Sequence, residues 1–281
     1  MKKKNLFACL MSLVMVMSLA ACGGTKEEAP EAPADDAQVE TAAPETAESD
    51  KAYIEGNGSM IIGYTVYAPM NYTDENGEFV GFDTELAKMV CEKLGVEPVF
   101  QEIDWGTKEV ELAGKSIDCI WNGMTLNEER EANMNCTQPY VKNAQVVVVK
   151  AGTDYTDTAT LAGQTVVAEI GSAGEEQVLT DAGLAQADYI GKSVQTDCLM
   201  EVKAGTAAAA VLDMTLAKAM IGEGTDYEDL VIVDELAVEN YGVAFRKGSD
   251  MRDAVNAVFD ELVADGSMGA LADKYNLELA V

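Results

Sequence analysis

The sequence predicts an α/β fold with largely parallel sheets. Two observations carry this expectation. From residue 51 onward, short runs rich in β-branched residues alternate with stretches whose apolar residues recur at helical spacing, the pattern of strand–helix–strand units. In addition, a 281-residue chain that is 48% hydrophobic has the makings of one or two ordinary globular domains, unlike a disordered or fibrous chain.

The elements follow in order. Lys2, Lys3 and Lys4 precede an apolar run from Leu6 to Ala21, too short for a spanning helix of ~20 residues but right for an export signal over residues 1–21. The run ends Leu19-Ala20-Ala21-Cys22, small residues before a cysteine, which reads as a lipidation site with Cys22 as the first mature residue. Two acyl chains there would anchor stably, where one holds only marginally. Residues 22–52 then shift to Ala, Pro, Glu, Asp and Thr, with nine acids and two lysines. So little apolar surface cannot offset the entropy of ordering, and a flexible acidic tether is expected. Loss of the first 21 residues removes three lysines and takes the charge from −30 to −33.

In the body, strands are expected at Met60 to Tyr64, Pro98 to Glu102, Ile117 to Trp121, Gln145 to Lys150, Thr165 to Glu169, Ala208 to Leu212, Leu230 to Asp234 and Tyr241 to Phe245. A helix carrying Leu86, Met89, Val90 and Leu94 is expected to be opened by Asp83 and stopped by Gly95. Another carries Met251, Val255, Val258, Phe259 and Leu262, opened by Ser249 and stopped near Gly266. Asn76-Gly77, between Tyr72 and Phe79, suits a hairpin turn; the acidic spacing of a calcium loop is incomplete there. No repeat of 20–50 residues is present.

Composition narrows the function. With 49 Asp plus Glu against 19 Lys plus Arg, the chain repels nucleic acid and bare anionic lipid. It contains no histidine, so Ser-His-Asp triads, Cys-His pairs and HExxH zinc sites are excluded. Cys91, Cys119, Cys136 and Cys198 sit in apolar patterns without a CxxC, which favours reduced, buried thiols, although an exported chain has the option of pairing some of them. No metal and no cofactor is expected.

A polar turn, Asn122-Gly123-Met124-Thr125-Leu126-Asn127-Glu128-Glu129-Arg130, follows the strand ending at Trp121, where open α/β sheets place ligands. Arg130 is one of three arginines, and spacing alone leaves a surface residue beside Glu128 and Glu129 as an equal alternative. The wider pattern tips the balance. Tyr67-Ala68-Pro69, Gly81-Phe82-Asp83, Asp104-Trp105, Gly114-Lys115-Ser116-Ile117-Asp118, Asn122 to Thr125 with Arg130, Pro139-Tyr140, Gly171 to Glu175, Asp213, Tyr241 to Ala244 and Asp265-Gly266 occur in family order over about residues 60 to 275. Together they resemble the family 3 extracellular solute-binding proteins, the polar amino-acid receptors of ABC importers.

The resemblance implies a type II periplasmic-binding-protein fold, two α/β lobes joined by two crossover segments with the ligand between them. Lobe 1 would comprise residues 53–143 and 237–281, and lobe 2 residues 144–236. By resemblance, Arg130 would fork onto a ligand α-carboxylate, with help from Thr125 and from backbone N–H groups at Ser172-Ala173, ahead of a helix. Ala173 departs from the hydroxyl residue often found in the family. Asp213 would receive the α-ammonium, with an N-cap for the next helix as the alternative, and the Gly123 carbonyl would share that charge. Tyr67 and Trp105 would wall the ligand, and Met124 completes the stretch. Glu169, with Asn122 opposite, would favour a basic or polar neutral side chain. The implied partners are a free L-amino acid, a permease with its ATPase, and the membrane through Cys22, with the protein itself a monomer. An enzyme on the same fold, such as a dehydratase, and a ligand-sensing receptor are the alternatives.

Overall fold

The computed structural model describes residues 49–281; the expected export signal, Cys22 and most of the expected tether lie outside the described residues. Helix α1 (Asp50–Asn57) starts inside the stretch expected to be tether. Ser49 caps it, its hydroxyl accepting from the Ala52 N–H at 3.0 Å. Asp50 is bound by the Arg246 guanidinium at 2.7 Å, which also meets Asp118 at 3.0 Å, and Ile54 is fully buried. Counted by composition, Asp50 belongs to the tether; paired with a buried guanidinium, it belongs to the body.

The chain continues through β1 (Ser59–Tyr64), the hairpin β2 (Tyr72–Thr73) and β3 (Phe79–Val80), α2 (Phe82–Leu94) and β4 (Glu97–Glu102). A single turn at Trp105–Thr107 leads into α3 (Lys108–Ala113), β5 (Cys119–Thr125), α4 (Glu128–Asn133), β6 (Asn135–Cys136) and β7 (Val141–Lys150). Then come β8 (Thr165–Glu169), α5 (Ala173–Thr180), β9 (Asp188–Lys192), α6 (Gln195–Ala204), β10 (Ala209–Asp213) and α7 (Met214–Met220). The last elements are β11 (Leu230–Phe245), α8 (Met251–Ala264) and α9 (Ser267–Tyr275). The Asn76-Gly77 turn is held by the Asp74 carboxylate, which accepts from the N–H groups of Asn76 and Glu78, each at 2.9 Å.

The main sheet runs β4-β1-β5-β11-β7-β10-β8-β9, with β6 also on β11. Its flanks are parallel: β1 with β4 and β5, and β8 with β9 and β10. Its centre is antiparallel, β11 pairing with both β5 and β7, and β7 with β10. The expected parallel arrangement therefore holds only at the flanks. The reason is β11, one strand of 16 residues where two were expected. Asp234, Glu235, Glu239 and Asn240 interrupt its apolar pattern, yet β7 pairs with that polar stretch through its backbone, with register shifts near Ile232/Asp234 and Glu235/Ala237. Val146 and Val148 of β7 pack into one core while Val147 and Val149 pack into another, which is why that run shows no alternation.

Two expected helix starts need correction. Asp83 lies in the first turn of α2, not at its cap, and its fully buried carboxyl accepts from the Gly123 N–H at 2.6 Å and the Tyr140 hydroxyl at 2.8 Å. Gly95 ends α2 in the left-handed region as expected. Helix α8 begins at Met251 with Asp250 at the cap position, and Ser249 accepts from the Met251 N–H at 3.3 Å. All four body cysteines are free thiols; Cys91, Cys119 and Cys198 are buried and Cys136 is partly so.

Candidate functional site

The C-terminal ends of β5, β8 and β10 meet across the middle of the sheet, as open α/β sheets place ligands. They enclose a narrow, tightly packed cleft lined by Tyr67, Trp105, Asn122, Gly123, Thr125, Arg130, Glu169, Ser172, Ala173, Asp213 and Gln195. Every candidate residue named from the sequence is there except Met124, and Gln195 joins them. Met124 points to the opposite face of β5, into the core that holds Ile103, Leu112, Ile117, Ile120 and Met134. Alternation along a strand gives this result: Gly123 and Thr125 open to one side, and Met124 to the other.

Arg130 is only 6% exposed. Asn127 caps α4, its side-chain oxygen accepting from the Arg130 N–H at 2.9 Å. That turns the guanidinium under the end of β5, where Nη1 donates to the Thr125 carbonyl at 2.8 Å and Nη2 approaches the Gly171 carbonyl at 3.4 Å. Facing it, Ser172 caps α5 by accepting from the Glu175 N–H at 3.1 Å, and Ala173 begins that helix. Gly123 has φ +54, and a Cβ there would lie 2.7 Å from the Tyr67 ring. Only glycine allows the tyrosine that close to the strand. Tyr67 in turn hydrogen-bonds Thr215 and Tyr241 through its hydroxyl and meets the Tyr241 ring edge-on at 6.5 Å.

Asp213 occupies the cap position of α7 but makes no capping hydrogen bond. Its carboxylate instead turns inward and accepts from Asn143 Nδ2 at 2.6 Å, from Gln145 Nε2 at 2.7 Å and from Gln195 Nε2, while its own N–H donates to Gln195 Oε1 at 3.0 Å. Burial raises its pKa. The capping alternative is thereby removed.

Asn122 is buried beside the cavity but fully engaged elsewhere. Its Oδ1 accepts from the Thr65 N–H at 3.1 Å and hydroxyl at 2.8 Å, and its Nδ2 donates to the Thr65 carbonyl at 2.9 Å and Asn71 Oδ1 at 2.7 Å. It braces β5 against the loop after β1, with no polar capacity left over. The Thr125 hydroxyl is also occupied, donating to Glu239 Oε1 at 2.8 Å.

Glu169 behaves differently. It is 3% exposed, and its Oε1 has no hydrogen-bond partner among the described residues. Burial, and then the charge of Asp213, push its pKa up to about 8, against the opposing pull of Lys108. Lys108 is the cation missed in the sequence. It donates to the carbonyls of Trp105 at 3.1 Å and Gly171 at 2.9 Å, lies 4.8 Å from the centre of the Trp105 ring, and has its pKa lowered to about 8 by burial and then by Arg130. One signal was available: Lys108 and Leu112 are an i, i+4 pair on the buried face of α3, where a lysine is out of place. Gln195 and Glu239 gave no such signal.

The cavity thus presents a fixed guanidinium at one end, a fixed carboxylate at the other and a third, unpaired carboxyl beside them. These groups offer an opposite charge to each end of a small molecule that carries both an anion and a cation.

Residues 60–278 match the family described as bacterial extracellular solute-binding proteins, family 3. The arginine-binding extracellular protein ArtP of Bacillus subtilis (strain 168) is 28% identical over 225 residues, 78% of this chain and 87% of its own. Among solved structures, the P235GK mutant of ArgBP from T. maritima superposes with a TM-score of 0.74 at 33% identity, covering 80% of this chain and 98% of that one. A substrate-binding protein of an ABC uptake transporter from Streptococcus pneumoniae, with bound histidine, gives 0.73 at 27% identity over 82% and 97%.

Proposed function

The chain belongs to the family 3 bacterial extracellular solute-binding proteins, and from that premise we propose that it captures a free basic amino acid and delivers it to an ABC permease. Membership of a solute-binding family supports capture over catalysis. The observation that carries the ligand class is the unpaired, buried Oε1 of Glu169 in a cavity that already holds Arg130 and Asp213. An α-carboxylate would meet Arg130 and the backbone N–H groups around Ser172 and Ala173, and an α-ammonium would meet Asp213. A cationic side chain would meet Glu169, ionising it on arrival despite its raised pKa. Tyr67 and Trp105 would wall the ligand.

Residues 53–143 with 237–281 would form one lobe and residues 144–236 the other, with the paired stretches Asn143–Gln145 and Ala237–Glu239 as the hinge. The polar links from Lys108 and Arg130 to the Gly171 carbonyl, and from Asn127 to Glu176 Oε2 at 3.0 Å, span the two parts and would latch the closed form. Cys22 would carry the lipid that holds the protein at the outer face of the membrane, with residues after it as a tether. Labelling of cells with a fatty-acid analogue is expected to mark the wild type and leave Cys22→Ser unmarked; equal labelling would remove the anchor.

The ligand assignment is tested by thermal shift of protein stripped of carried ligand by unfolding and refolding, against the twenty amino acids plus ornithine, citrulline and cystine. At 100 times its dissociation constant a ligand adds ~2.7 kcal/mol, a shift of a few degrees. Arginine, lysine or ornithine are expected to give the largest shift and aspartate and glutamate none. Silence across the panel from folded protein would reject amino-acid capture, and a neutral ligand ranking first would reject the role given to Glu169.

A further inference from the structure

Behind the cavity, two carboxyl groups share the same pair of amide donors. Asn143 Nδ2 lies 2.6 Å from Asp213 Oδ1 and 2.6 Å from Glu239 Oε1; Gln145 Nε2 lies 2.7 Å from the first and 2.9 Å from the second. Oxygens bound to the same two nitrogens are close neighbours. Among the described residues neither carboxyl takes part in an ion pair. The groups facing them from the packed elements are the Tyr67 phenol after β1, the Tyr241 phenol on β11 and the Glu169 carboxyl on β8, with Lys108 and Arg130 lying beyond, on the side of Glu169. The nearest polar partners of Glu239 are Asp213, Asn143, Gln145 and the Thr125 hydroxyl, none of them cationic.

Two adjacent carboxylates in a poorly solvated place cannot both ionise without a cation, so one proton is held by the pair. Burial, and then the charge of Asp213, move Glu239 up to about 7, in keeping with that geometry. We propose that Glu239 and Asp213 hold one proton between them in the empty site and release it when the ligand's ammonium docks, which makes Glu239 a positioning residue and makes capture proton-linked. The inference rests on the reading of Asp213 as the ammonium's partner. In the exchange, the proton leaves the pair for solvent, the incoming ammonium keeps all its hydrogens, and the pair becomes two carboxylates beside one cation. Glu239 also accepts from the Thr125 hydroxyl, and the Thr125 carbonyl seats Arg130, so the pair is tied to the other end of the ligand as well.

Because binding releases a proton from the pair, beside the one Glu169 gives up to a cationic side chain, affinity rises with pH across the range in which these groups titrate, the pair contributing up to tenfold per unit, and falls on acidification.

Two measurements on the purified protein test this. Carbon-13 carboxyl NMR of the ligand-free chain needs no ligand: a glutamate carboxyl titrating near neutrality is expected, absent in Glu239→Gln and displaced downward in Asp213→Asn. Glu239 titrating in the ordinary carboxylate range, near 4, would overturn the proposal. Calorimetry at pH 6.5 in buffers of different ionisation enthalpy then counts protons released with the amino acid that stabilises the wild type. Glu239→Gln is expected to release most of one proton fewer and to lower the pH slope of affinity to the part that Glu169 supplies; an unchanged proton count and slope would overturn the proposal. If the wild type binds no amino acid, capture itself fails as a reading, and the NMR titration still decides whether the pair holds its proton. Should Glu239→Gln not fold, Asp213→Asn carries the same NMR test.

Discussion

Arg130 reaches the cavity from a helix of only six residues, held by the Asn127 cap and the Thr125 carbonyl, so its guanidinium is fixed before a ligand comes. A pre-placed fork loses little freedom on binding, and removing it strands a buried carboxylate. Arg130→Ala is expected to weaken amino-acid binding by about 2–5 kcal/mol, measured by titration calorimetry; near-native affinity would reject the role. Glu169→Gln keeps shape and hydrogen bonding but removes the charge, and is expected to erase the preference for basic over polar neutral ligands in competition binding. An undiminished preference would place selectivity elsewhere. At this scale Arg130, Asp213 and Glu169 were reached through the family resemblance, since their positions at or after strand ends left a surface arginine and a helix cap as open alternatives, and Lys108 and Glu239 were missed. Asn122 was legible as a cavity residue and misjudged in its bonds, because its partners, Thr65 and Asn71, are more than fifty positions away.

The element most misjudged is α1. Its first turn reads as acidic tether, yet Asp50 and Arg246 form a bidentate pair with about a tenth of each side chain exposed, and Ile54 fills the core beneath. Asp50→Ala leaves the guanidinium with Asp118 alone and is expected to destabilise the body by about 3 kcal/mol in denaturant unfolding, the order found when one partner of a buried pair is lost. A change under half a kcal/mol would return α1 to the tether. Strand β11 teaches the converse lesson. Its polar middle, Asp234 to Asn240, looks like a break between two strands, but backbone pairing with β7 is indifferent to side-chain polarity, and the register shifts absorb the change of face.

Among the described residues, four buried carboxyls stand above their ordinary values, burial being the leading cause in each: Asp83 at about 7, Glu239 at about 7, Glu169 at about 8, and Asp213. A raised acid binds more protons folded than unfolded, so its contribution is complete below the unfolded value, near 4, and is lost as pH climbs through the folded one. Lys108, lowered to about 8, acts oppositely, but only above that pH. The ligand-free protein is therefore expected to melt at a lower temperature at pH 8 than at pH 5.5, by scanning calorimetry, and a basic ligand to narrow the gap by neutralising Glu169. A flat or rising profile would contradict these environments. The body's excess of acids pulls the same way, through self-repulsion, and added salt separates the two effects because buried groups are screened little.

The sequence by itself determined the α/β class, most of the strands it marked and the helices Phe82–Leu94 and Met251–Ala264 to within a few residues, and a ligand-type turn near the end of β5; the lining residues were reached only through the family resemblance. Periodicity records which side of each element is buried, and that is a local property. The tertiary structure alone decided that the sheet's centre is antiparallel, that Asp213 turns inward from the cap of α7 and that Gln195 and Glu239 stand at the site. Those outcomes depend on contacts between residues far apart in the chain, 70 positions for Asn143 with Asp213 and 114 for Thr125 with Glu239. A buried polar side chain gives no periodic signal of its own, because its partner is chosen by the fold.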